Sequence, residues 1–138
     1  DHTLRVVVGD GAHTRLDVDA AEVKVTVDGP TIDATAPATL AAGPPLEIAV
    51  AVSGFDLIKA DGAMTEATGH LHAFVDTPPV APGEAIAVGN PLIIHSATSP
   101  ITVTGLAAGE HTIWIVAGDG THHAFKTPVR DKVVVTVT

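Results

Sequence analysis

The sequence predicts an all-β protein built as an antiparallel sandwich, and three observations carry that reading. Apolar residues alternate with polar ones in runs of five to seven, the period of a strand that buries one face. Thirteen glycines and ten prolines interrupt these runs at short intervals, as turns between strands do. Apolar residues make up 46% of the chain but are mostly Ala and Val, and Leu, Met, Lys and Arg are too sparse for long amphipathic helices. A sheet must bury its apolar face against a second layer, so about seven strands in two packed sheets is the economical architecture. A chain of 138 residues holds one such domain with an appendage, not two.

The elements follow in order. Residues 4–8 and 23–27 form an opening pair of strands around a turn at Gly9-Asp10-Gly11. Residues 29–45 are rich in Pro, Ala and Thr and read either as a linker or as a boundary followed by a short edge strand at 31–35, where proline is tolerated. Further strands are expected at 46–52, 69–76, 92–95, 101–104, 111–117 and 132–137. Residues 55–68 form a longer loop with room for one helical turn. In the last strand Val133, Val135 and Val137 are expected to face the core, with Val134 and Thr136 facing out. Trp114, on the face opposite His111, Ile113 and Ile115, is expected to pack.

The chain echoes itself. HTLRVVVGDGAH at 2–13 returns as HTIWIVAGDGTH at 111–122, identical at seven of twelve positions, and EVKVTV at 22–27 matches KVVVTV at 132–137 at four of six. A spacing of 109 to 110 residues marks tandem domains rather than a solenoid. Residues 1–28 therefore read as a partial repeat, two strands matching the end of a complete sandwich domain at 29–138. An isolated two-stranded hairpin is marginal in water, so this pair is expected to lean on a sheet edge of its own chain or of a neighbouring molecule. The second option links subunits head to tail and produces filaments.

Charge and composition exclude several partners. The net charge of −9, without any Lys/Arg cluster, argues against nucleic acid and anionic membranes. No cysteine is present, which removes disulfides and thiolate ligands or nucleophiles. The longest uncharged stretch, 85–109, contains Asn90, Pro91, His95 and Pro100 and does not fit a membrane span. Asp10-Gly11 and Asp119-Gly120 read as tight-turn chemistry rather than catalysis. Ser53, Ser96 and Ser99 lack the surroundings of a nucleophile, and one Trp with no Tyr makes no stacking platform.

Histidine is the exception: eight occur, and six cluster in GHLHAFVD, LIIHS, GEHT and DGTHH. On a strand alternate side chains share a face, so His70 and His72 project together with their Cα atoms roughly 7 Å apart. Such a pair presents two imidazoles to one metal, and the remaining ligands are available from His111, His122 or His123, and His95. Imidazole without thiolate suits copper or zinc. Coordination requires neutral imidazole, so affinity is expected to fall below about pH 6.

These same stretches, a GHxHxxxD strand, a hairpin that opens GxHT and turns at DxxH, and a closing VTV strand, resemble an uncharacterised family of secreted bacterial and archaeal domains. The resemblance runs from about residue 31 to 138, with residues 1–28 matching only the family's end. It implies an immunoglobulin-like sandwich, outside the cytoplasm, with His70, His72, His111 and His122 at the family's histidine positions. Leu71 stands where some members carry another histidine, and the doubled His122-His123 also departs from the pattern.

Two functions from different classes follow. One is a secreted or cell-surface binding module, periplasmic or extracellular, with a histidine-based copper or zinc site. The other is a structural subunit of a tandem or polymeric assembly that uses strand addition and whose histidines are incidental. Catalysis ranks third: a superoxide-dismutase-like copper activity rests on fold analogy alone.

Overall fold

The computed structural model describes residues 2–65 and 67–138. The fold is all-β, with no helix among the described residues. Eleven strands follow one another: β1 (His2–Val6), β2 (Ala21–Val25), β3 (Thr31–Thr35), β4 (Thr39–Leu40), β5 (Leu46–Ser53), β6 (Asp56–Leu57), β7 (Thr68–Val75), β8 (Ile93–Ser96), β9 (Ile101–Val103), β10 (Gly109–Gly118) and β11 (Arg130–Val137). The larger sheet runs β4-β11-β10-β7-β6, with β8 also paired to β7. The smaller runs β3-β5-β9, and β1-β2 stand as a hairpin of their own. Pairing is antiparallel except where the two-residue strands β4 and β6 join β11 and β7.

Period-two alternation explains how the two sheets meet. Along β5, Leu46, Ile48 and Val50 are buried while Glu47, Ala49 and Ala51 are exposed. Ile101 and Val103 of β9 and Ala34 of β3 extend this face. Opposite them lie Leu71, Ala73 and Val75 of β7, Ile113, Ile115 and Ala117 of β10, and Val133 and Val135 of β11, all in one cluster. Each such aliphatic side chain contributes about 1.5–3 kcal/mol when withdrawn from water. The inward set on β11 is the one the alternation predicts, with Val134 and Thr136 exposed. Two polar contacts tie sheet to sheet and strand to loop: the Ala34 amide donates to Asp131 Oδ2, and the Val50 amide to Ser99 Oγ, each at 2.8 Å.

Several elements differ from the sequence reading. Residues 55–68 hold no helical turn among those described; they supply β6, where Asp56 and Leu57 pair alongside Thr68 and Gly69. The Pro-rich boundary contains β4, docked in parallel on Thr136 and Val137. Neither was expected, because two residues are too few to show a period. The opening strands end earlier than the apolar run does, at Val6 and Val25.

The larger sheet is buried on both faces. On its outer side Phe74, Val116 and Ile93 pack with Ile86 and Ala124, and with the partly buried Val80 and Trp114. Val80 and Ile86 belong to the connection between β7 and β8, which crosses this face. It is stitched to the loop after β10: the Ile86 amide donates to His122 O at 2.7 Å, and the Ala124 amide to Glu84 O at 2.9 Å. Trp114 also lies beneath Arg130 and Lys132, whose cationic groups sit 5.6 and 5.3 Å from its ring centre.

Candidate metal centre

Between the sheet and this covering connection lies a group of four histidines. His70 and His72 stand on the outer face of β7, on the side opposite Leu71 and Ala73. His95 of β8 is the direct cross-strand partner of His72. His122 comes from the loop after β10, at a backbone φ of 62°. Asp119 holds that loop: its Oδ1 accepts from the Thr121 amide and hydroxyl and from the His123 amide. The Asp-Gly turn chemistry read from the sequence is therefore what positions His122.

One ring nitrogen from each of the four lies within 4.8 Å of those of the others. Ring centroids are 4.3 Å apart for His70–His72, 4.7 Å for His72–His95, 4.8 Å for His70–His122 and 5.1 Å for His95–His122. His70 and His72 are buried, and His95 and His122 half-buried. The Nδ1 of His72 faces the Val116 carbonyl at 3.3 Å. That contact needs a proton on Nδ1, which leaves Nε2 as a free lone pair. His72 Nε2, both ring nitrogens of His70 and both of His95 are buried without a hydrogen-bond partner. Buried polar atoms are nearly always satisfied in folded proteins, so five orphaned nitrogens in one place call for a ligand.

The electrostatics agree. Burial, and then the neighbouring His122 and His95, push the His70 pKa down to about 4, with Asp119 acting weakly the other way. Burial, and then His70 and His95, push His72 down to about 3. His95 is lowered by burial and by His122, against the Ala87 carbonyl, which acts on the ring without meeting the geometry of a hydrogen bond. His70, His72 and His95 are thus held neutral at pH 7, the form that coordinates a metal. Four imidazoles without a thiolate suit a borderline divalent ion such as zinc or copper. Tetrahedral bonds of about 2.0–2.1 Å set nitrogens about 3.3 Å apart, so side-chain adjustments of an ångström or so close the set.

Space for this packing comes from glycine. A Cβ at Gly118 would lie 2.6 Å from His72 Cε1, and one at Gly69 would lie 2.7 Å from the Gly118 carbonyl oxygen and from Phe125 Cζ. β7 and β10 approach closely here, with His70 opposite Gly118 and His72 opposite Val116. The sequence marked neither glycine as part of the site. The signal was available in the Gly that immediately precedes His70 and the Gly that precedes Asp119.

Four of the six histidines expected as ligands converge. His111 and His123 do not, which corrects the expectation that His111 joins His70 and His72. His111 lies near the far end of β10, where its Nδ1 donates to Asp76 Oδ2 at 2.7 Å and its Nε2 to the Ala107 carbonyl at 2.8 Å. Both nitrogens are engaged, leaving none for a metal. His123 is exposed and stands outside the four, its Nδ1 3.0 Å from Thr121 Oγ1 and its backbone bridged to Ala85.

Fold and site together define a β-sheet domain that buries a four-histidine cluster between its larger sheet and a covering connection. Residues 48–138 match the model of a family described as a domain of unknown function, DUF4399, and the chain belongs to that family. The matched stretch contains all four clustered histidines and leaves out the β1–β2 hairpin. No curated protein matches the chain.

Proposed function

We propose that this domain is a metal-binding module in which His70, His72, His95 and His122 hold one copper or zinc ion. The observation that carries the proposal is the set of five buried, unpartnered imidazole nitrogens on three of those residues. Leaving such groups unpaired costs about 1–3 kcal/mol each, and a bound cation would engage one nitrogen of each residue. At equal availability copper binds such a site more tightly than zinc does. Four protein ligands close a tetrahedral shell and leave no position for water or substrate, which suits holding an ion rather than turning one over. Placement outside the cytoplasm is part of the proposal and rests on the resemblance of the histidine-bearing motifs to secreted domains.

The test is elemental analysis of protein purified without an affinity tag, followed by competition titration with Zn(II) and Cu(II). One equivalent per chain is expected. Replacing both His70 and His72 with Ala should abolish uptake, whereas one equivalent bound by the double variant with unchanged affinity overturns the proposal.

A further inference from the structure

The β1–β2 hairpin repeats the β10–β11 hairpin in three dimensions. In β1–β2, His2 faces Val25, Leu4 faces Val23 and Val6 faces Ala21; in β10–β11, His111 faces Val135, Ile113 faces Val133 and Ile115 faces Asp131. Position for position this is one register. The turns agree as well. Asp10 Oδ1 accepts from the Ala12 and Thr14 amides as Asp119 Oδ1 does from those of Thr121 and His123. The His13 amide donates to Asp10 O at 3.0 Å, and the His122 amide to Asp119 O at 3.0 Å. His13 and His122 share a φ of 62°, a left-handed conformation that few non-glycine residues adopt.

What differs is the environment. Ile113, Ile115 and Val133 are 0, 0 and 8% exposed, whereas their counterparts Leu4, Val6 and Val23 are 57, 62 and 52% exposed. β10 continues from Val116 to Gly118 because β7 pairs with it there. Among the described residues β1 pairs with β2 alone, and it stops at Val6. Gly9 occupies the place of Gly118, yet a Cβ on Gly9 would meet nothing closer than 3.4 Å, whereas Gly118 is required by the His72 ring. The hairpin therefore keeps a glycine that only an absent imidazole needs.

We propose that residues 2–27 are the closing hairpin of a second copy of this sandwich, and that His13 is the histidine they bring to that copy's metal site, in the place His122 holds. The occupant of the open β1 edge is a β7-type His-x-His strand from a unit like residues 29–110 that lacks a closing hairpin of its own. The interface it forms already exists within this chain, between β7 and β10. A complete sandwich does not offer it, because its β7 is already paired on that edge with its own β10. In the completed copy His2 takes the place of His111. The ligand role of His13 rests on the function proposed above; the docking of the hairpin does not.

The test joins a copy of residues 29–110 directly to residue 2 of the full chain, so that the added stretch precedes the hairpin as residues 29–110 precede His111. Hydrogen exchange is measured on the β1 and β2 amides, together with Zn(II) stoichiometry. In the fusion these amides are expected to slow at least 100-fold relative to the 138-residue chain, with two equivalents bound in place of one. His13→Ala should remove one equivalent from the fusion and none from the original chain. Unchanged exchange in the fusion overturns the docking. Slowed exchange with a single equivalent, or a second equivalent that survives His13→Ala, overturns the assignment of His13. Slowed exchange with no zinc bound by either unit supports the docking and sinks the metal reading instead.

Discussion

The backbone of Gly118 lies against the imidazole of His72, so closely that a methyl group at 118 would stand 2.6 Å from Cε1 and 3.1 Å from Nδ1. His72 is fully buried and its Nδ1 is anchored on the Val116 carbonyl, so the ring has nowhere to retreat without giving up that anchor. Gly118→Ala is therefore expected to destabilise the fold by about 1–3 kcal/mol, as overpacking does, and to weaken metal binding at least tenfold. Thermal melts and zinc competition check both effects. An alanine variant with wild-type affinity would show that His72 tolerates displacement and is not held in place for coordination.

Replacing a buried, unpartnered imidazole by an apolar side chain separates a ligand from a structural residue. Both His70 nitrogens lack partners although the residue is buried. His70→Leu should leave the metal-free protein as stable as the wild type or more so, because an unsatisfied polar group is exchanged for hydrocarbon. The same variant should lose the rise in melting temperature that zinc gives the wild type. Melts with chelator and with zinc make the comparison, and a large loss of stability in the metal-free variant would mark His70 as structural.

How much of this was legible in the sequence depends on whether a feature is local. The shared face of His70 and His72 follows from period two alone, as do the inward Val133, Val135 and Val137. The edge strand at 31–35 was legible from its prolines and lies where expected. The meeting of His95 with His72 depends on the register between β8 and β7, and that of His122 on a left-handed residue in a loop fixed by Asp119. Neither is encoded in spacing, so both were available as candidates but not as a choice. His111 misled because the GEHT motif offers a histidine on the right strand, and a motif reading does not measure that it stands at the opposite end of β10 from Gly118.

The buried histidines make the metal-free protein acid-sensitive. His72 falls to about 3 and His70 to about 4 when folded, against 6.5 for an unperturbed imidazole. Between these values the unfolded chain binds protons that the folded chain refuses, so stability rises with pH in this window. The stabilisation is present above pH 6.5 and is lost progressively as pH falls from 6.5 toward 4 and 3. Urea unfolding of the metal-free protein at pH 7, 5 and 4 should show the fall, and His70→Leu should make it shallower. Equal slopes for the two proteins would mean that His70 titrates normally.

His111 acts in the opposite sense. Its two nitrogens face the Ala107 carbonyl and the Asp76 carboxylate, and only the doubly protonated imidazolium satisfies both. Those two acceptors raise its pKa, the carbonyl first, against a weaker desolvation effect. Burial pushes the Asp76 carboxyl up, but hydrogen bonds from His111 and from the Thr112 amide outweigh it and hold the group below its ordinary range. The folded state thus keeps a proton on His111 that the unfolded state releases above pH 6.5. This contribution is fully present below 6.5 and disappears as pH rises through the raised pKa. The Asp76 side of the pair is lost only in acid, as pH falls below 3.8. The side chains are partly open to solvent, so the effect is modest and screened by salt. His111→Asn should flatten the fall in melting temperature between pH 6 and 8 and leave zinc affinity unchanged, since this histidine stands apart from the four. An NMR titration of wild-type His111 giving a midpoint at or below 6.5 would remove the basis for the prediction.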